Sequence, residues 1–104
     1  MYEEFLQERL AKLRIQKGVS ARDMSLSLGQ SNNYINTIEN KKALPSLSAF
    51  FYICEYLGIT PPEFFDEEND CPEALREFMA EAKKLSPQSR ETILKLMKEM
   101  NGKK

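Results

Sequence analysis

The chain contains no histidine. That excludes a His-containing zinc site and a His-based catalytic triad. Its two cysteines, Cys54 and Cys71, form neither a Cys-x-x-Cys pair nor part of a ligand cluster. Cys54 falls inside an apolar helical pattern and reads as a buried, inert thiol. No apolar run is long enough to span a bilayer. The start, Met1-Tyr2-Glu3-Glu4, lacks the basic end and apolar core of a signal peptide. A cytoplasmic protein without a membrane partner is expected. Net charge is −1, so the bulk basicity that marks many nucleic-acid binders is missing too. There is no nucleotide-binding loop and no marked nucleophile–base or carboxylate pair. An enzyme is therefore not expected, and no cofactor, metal or small-molecule ligand is called for.

What is present is a chain of 104 residues, 41% hydrophobic and 30% charged, which suits one packed domain with a small appendage. Charge is unevenly spread. Arg9, Lys12, Arg14, Lys17 and Arg22 form a basic run with no acidic residue between them. Apart from Arg14, that run reads as a solvated face. From Met24 to Ile38 there is no charge of either sign, yet the segment is polar. In so charged a chain, that stretch needs a reason.

Helix signals dominate. Leu6, Leu10 and Leu13 share one face of a first helix over Tyr2–Gln16, which Gly18 ends. Ser20-Ala21-Arg22-Asp23 is a capping-box pattern opening a short helix around Met24 and Leu28, closed by Gly29. Ser31 is the next candidate N-cap, for a helix holding Tyr34, Ile35 and Ile38. Asn40 is expected at its left-handed close. After Pro45, Ser46 caps a fourth helix with Leu47, Phe50, Phe51, Cys54 and Leu57 at helical spacing. Thr60-Pro61-Pro62-Glu63 begins a single turn that returns Phe64 and Phe65 to the core. Asp66 to Asp70 reads as a linker. Asp70 and Glu73 then form another capping box before an apolar face of Leu75, Phe78, Met79 and Ala82. Ser86-Pro87 starts the last helix, with Ile93, Leu96, Met97 and Met100 at helical spacing.

Within this pattern, a small residue (Ser25) is followed four positions later by Gly29, and Ile35 and Ile38 lie six and nine beyond the glycine. This is helix-turn-helix spacing. The small residue lets the second helix cross closely, and that helix can offer its outward face to a DNA major groove.

Residues 6–66 accordingly resemble the lambda-repressor-like, Cro/xre-type helix-turn-helix family. The matching elements are Leu13-Arg14, Gly18-Val19-Ser20, Met24-Ser25, Leu28-Gly29-Gln30-Ser31, Tyr34-Ile35, Ile38-Glu39-Asn40, Pro45-Ser46-Leu47 and Leu57-Gly58-Ile59. The resemblance implies an all-α fold: a five-helix DNA-binding domain over residues 1–66, with a two-helix C-terminal extension over 67–104. It implies a third helix that reads bases with Asn32, Asn33, Asn36 and Thr37, together with Tyr34. Amides pair bidentately with adenine, which gives an uncharged polar face a purpose. It also implies a structural pair between Arg14 and Glu39. Phosphate contacts would fall to Ser20, Ser31, Lys41 and Lys42, with Arg22 and Lys17 as further candidates. The family often carries Gln where this chain has Ala21, Ala where it has Ser25, an aliphatic residue at Gln30 and Gly at Lys41.

The expected function is a sequence-specific double-stranded DNA-binding transcriptional regulator, a repressor acting on an operator as a homodimer. Leu75, Phe78, Met79, Ile93, Met97 and Met100 are the expected dimer contact, because two amphipathic helices after a complete domain need something to cover them. The competing reading is a protein-interaction module, such as an antitoxin or a regulator of another regulator. The amides would then be an ordinary solvated face, and Lys41 and Lys42 would only complement a helix C-terminus.

Overall fold

The structure is a computed structural model that describes residues 1–102. Among them are seven helices and no strand. The first compact unit runs Met1–Pro72, and the second begins at Glu73.

In the first unit, α1 spans Tyr2–Lys17, α2 Ala21–Ser27, α3 Tyr34–Glu39, α4 Leu47–Leu57 and α5 Pro61–Phe64. Local chemistry sets most of these bounds. Gly18 takes φ 79° and donates to the carbonyls of Arg14 and Ile15, which stops α1. The hydroxyls of Ser20, Ser46 and Thr60 each accept from the backbone N–H three residues on, opening α2, α4 and α5. Thr60 and Glu63 complete a reciprocal capping box.

Each of these helices contributes apolar residues to one core, but on α4 Leu47 and Phe51, which share the helical repeat of Phe50, Cys54 and Leu57, stay exposed. Leu10, Met24, Ile35, Ile38, Ile53 and Phe64 are fully excluded from solvent, with Leu13, Phe50, Cys54, Leu57 and Ile59 nearly so. Each fully buried side chain of this size contributes about 1.5–3 kcal/mol by leaving water. Phe64 meets Phe50 edge-on at 5.1 Å between ring centroids. Phe65 stays partly exposed but lies against Phe5, Phe50 and Phe64.

Several sequence expectations need correction. Ser31 does not cap α3. The flanking residue is Asn33, with helical backbone angles and no side-chain cap bond. Asn32 and Asn33 thus lie in the turn before α3, and only Asn36 of the three amides is on the helix. The left-handed residue after α3 is Lys41 at φ 64°, because the closing bonds run from its own N–H to Ile38 and from the Lys42 N–H to Thr37; Asn40 keeps φ −82°. Arg9 is not on a solvated face. It is buried, and its guanidinium donates to the backbone carbonyls of Phe64 (2.8 Å), Glu63 (2.9 Å) and Asn69 (2.7 Å).

The stretch from Asp66 to Asp70 is therefore tied to α1 through Asn69, and the first compact unit runs on to Pro72. Gln16 adds a bond to the Asp70 carbonyl at 2.7 Å. The Asp70 carboxylate faces Lys12 at 3.6 Å, and the next helix starts at Pro72, so Asp70 stands one residue too early to cap it.

The second unit is made by α6 (Pro72–Lys84), whose first residue belongs to the first unit, and α7 (Pro87–Gly102). Ser86 opens α7 by accepting from the Ser89 N–H. Apart from Pro72, neither helix buries a residue.

Candidate nucleic-acid interface

The region around α2 and α3 is built from a small set of tethers. Met24 on α2 and Ile35 and Ile38 on α3 sink into the core, which leaves the opposite side of α3 outward. Gly29 turns the chain between the helices at φ 76°. Ser25 is buried in the crossing, where its hydroxyl donates to the Ala21 carbonyl (2.7 Å) and accepts from the Ile35 N–H (2.9 Å).

Arg14 braces the unit from α1. Nε and Nη2 donate to the two carboxylate oxygens of Glu39 at 2.7 and 3.0 Å, and Nη1 donates to the Val19 carbonyl at 2.8 Å. One guanidinium thus joins α1, the entrance of α2 and the end of α3. The planar fork suits a carboxylate taken two-handed. The pairing with Glu39 holds the Arg14 charge even more firmly than usual, because its hydrogen bond outweighs the opposing cost of burial. Gln7, buried on α1, donates to the Ala43 carbonyl at 3.0 Å and fixes the segment that follows α3.

On this frame the amides are presented outward. Asn32, Asn33 and Asn36 are exposed, and Thr37 is half-buried. The Thr37 hydroxyl donates its hydrogen to the Asn33 carbonyl at 2.9 Å, so toward a ligand it offers a methyl group and an acceptor. Tyr34 is half-buried, and that burial pushes its phenol pKa up, which keeps the hydroxyl protonated and able to donate.

The basic and hydroxyl candidates do not behave as one group. Ser20, Arg22, Ser31 and Lys42 are exposed. Lys17 places its ammonium 5.4 Å from the centroid of the Tyr56 ring. Lys41 is held by Glu8 at 2.9 Å and Glu4 at 3.6 Å, and the hydrogen bond to Glu8 raises its pKa. In this conformation Lys41 already has anionic partners on α1, and a phosphate would have to compete with them.

Sequence reasoning missed Gln7, Arg9 and the use of the Ser25 hydroxyl. A signal existed for the first: Gln7, Leu10 and Arg14 recur at i, i+3 and i+7, so they share the inward side of α1. Nothing local marks Arg9, whose acceptors lie more than fifty positions away. Among the described residues no group of three or more His, Cys, Asp or Glu is placed to hold a metal ion, and no helix is long and apolar enough to cross a membrane.

Comparison with known proteins agrees with this geometry. A family model described as a helix-turn-helix domain matches residues 7–69. No curated protein and no solved structure matches the chain.

Proposed function

We propose, since the chain belongs to the helix-turn-helix domain family, that it is a cytoplasmic, sequence-specific transcriptional repressor. In this reading α3 enters the major groove of double-stranded DNA and catalysis plays no part. The first unit is read as the Cro/xre-type, lambda-repressor-like arrangement of five helices. The observation that carries the reading is the uncharged amide cluster. Asn32, Asn33 and Asn36 stand exposed at the start of α3, while Ile35 and Ile38 between and beside them are locked in the core. Exposed amides on a fixed backbone suit bidentate contact with adenine, each pair being worth about 1–3 kcal/mol of discrimination. Thr37 and Tyr34 extend that contact. Ser20, Ser31, Lys42, Arg22 and Lys17 serve the phosphates, and Lys41 joins them once it leaves Glu8 and Glu4.

The second unit supports a homodimer in this reading. Leu75, Phe78, Met79, Ile93, Met97 and Met100 all remain exposed, and α6 with its following turn and Ile93 lines an apolar groove of about 490 Å³. Two copies facing each other through these helices would cover both faces. A dimeric reader is expected to take half-sites one helical turn apart, about 34–36 Å.

The test is selection from random duplexes at two salt concentrations, with wild type beside Asn32→Ala/Asn33→Ala. A selected palindrome, weakened by salt in proportion to the phosphates contacted and less discriminated by the double variant, supports the reading. Selection of no sequence by a folded chain overturns it. The pairing of Lys41 with Glu8 and Glu4 is the observation that favours the rival, a protein-binding module, which predicts no salt-dependent affinity for DNA.

A further inference from the structure

A six-residue helix has few internal hydrogen bonds with which to hold its own first turn, and α3 is that short. Its flanking residue, Asn33, supplies no side-chain cap. The Ile35 N–H at the second helical position is nevertheless satisfied, because the Ser25 hydroxyl accepts from it at 2.9 Å across the turn. Both residues are wholly excluded from solvent, so water is not a substitute acceptor. The same hydroxyl gives its hydrogen to the Ala21 carbonyl, and the Ser25 backbone carbonyl accepts from the Gln30 N–H at 3.0 Å. Ser25 therefore grips α2, the turn and α3 at once.

We propose that Ser25 is the N-cap of the recognition helix, supplied from the preceding helix, and that through this bond it positions Asn32, Asn33 and Asn36 for base reading. The inference rests on the DNA-reading function proposed above. Alanine at this site takes nearly the same space but leaves the Ile35 N–H buried without an acceptor. The turn that carries Asn32 and Asn33 then loses its fixed relation to α2. Ser25 touches no base in this scheme; it acts through the helix it caps.

The experiment measures amide exchange and duplex selection on the full chain for wild type, Ser25→Ala and Ser46→Ala. Ser46 caps α4 and is exposed, so its variant controls for the loss of a cap elsewhere. In wild type the Ile35 amide should exchange as slowly as the Leu10 amide; a readily exchanging Ile35 overturns the proposal without need of any variant. In Ser25→Ala the Ile35 amide should exchange about tenfold faster relative to Leu10, and the selected duplex should bind about tenfold more weakly with flattened base preference. Ser46→Ala should leave both the ratio and the preference unchanged. An unchanged ratio in Ser25→Ala, or a changed ratio with base preference intact, overturns the positioning role. A wild-type chain that selects no duplex overturns the DNA reading instead, and the exchange ratio, measured without DNA, still decides whether Ser25 caps α3.

Discussion

In α4, Phe50, Cys54 and Leu57 recur at helical spacing and are at most 6% exposed. In α7, Ile93, Leu96, Met97 and Met100 recur at the same kind of spacing and are 37–63% exposed. The periodicity is alike; the burial is not. Conversely α1, whose apolar and polar residues are hardly segregated, buries Leu10 and Leu13 together with Gln7 and Arg9. Helical spacing says which residues can share a face. Whether that face is covered depends on what meets it, and for polar side chains on whether acceptors meet it as well. The first unit supplies cover from within the chain, and the second leaves its apolar faces open.

The sharpest way to break the contrast is to delete apolar volume from each side. Ile35→Ala should destabilise the first unit by about 2–5 kcal/mol, since it leaves a cavity in a closed core. Leu96→Ala, at a half-exposed position, should stay within about 0.5 kcal/mol in dilute monomer. Urea denaturation of both variants checks this, and equal losses would mean that α7 is as well packed as the core.

A charge placed on the open side should act on association instead of folding. Phe78→Asp should weaken self-association by about a hundredfold, equivalent to about 2.7 kcal/mol, with the melting of the first unit unchanged at low concentration. Sedimentation across a concentration series reads it. A dimer as tight as wild type would place the contact elsewhere.

Arg9 tests whether polar cover matters as much as apolar cover. Arg9→Met should cost about 2 kcal/mol, because three carbonyls lose a charged donor. Arg9→Lys should recover little of it, since one ammonium cannot reproduce the fork that spans Glu63, Phe64 and Asn69. Thermal unfolding ranks the three chains.

The cysteines give the smallest effect and the most direct comparison. Burial pushes the Cys54 thiol from an ordinary value near 9.0 to about 11, while Cys71 is exposed. An alkylating reagent at neutral pH should label Cys71 in the native chain and Cys54 only after unfolding. The raised pKa means that the folded state keeps a proton that the unfolded state releases. Stability from this group is thus full below about pH 9 and declines as pH rises towards 11. Cys54→Ala should flatten that part of the alkaline stability curve.

Much of this molecule is legible without coordinates. The caps at Ser20, Ser46 and Thr60 and the stop at Gly18 follow from residues within three or four positions of one another, and the helix-turn-helix spacing of Ser25, Gly29, Ile35 and Ile38 is readable within one short stretch of chain. The start of α3 was less legible, because three polar residues in succession, Ser31, Asn32 and Asn33, each suit a helix entrance by type. The helix begins after Asn33, and the acceptor for the N–H at its second position, Ile35, is the Ser25 hydroxyl ten residues earlier in the chain.

The sequence by itself determined that the chain is helical, where most helices begin and end, and that it carries a helix-turn-helix domain, since all three rest on short-range spacing and residue type. Only the tertiary structure decided that Arg9 is buried among carbonyls, that Lys41 rests on Glu8 and Glu4, and that a serine on α2 caps α3. These depend on which distant segments come within about 3 Å of a side chain's end. Backbone propensity does not encode that meeting, and the packing of the whole unit does.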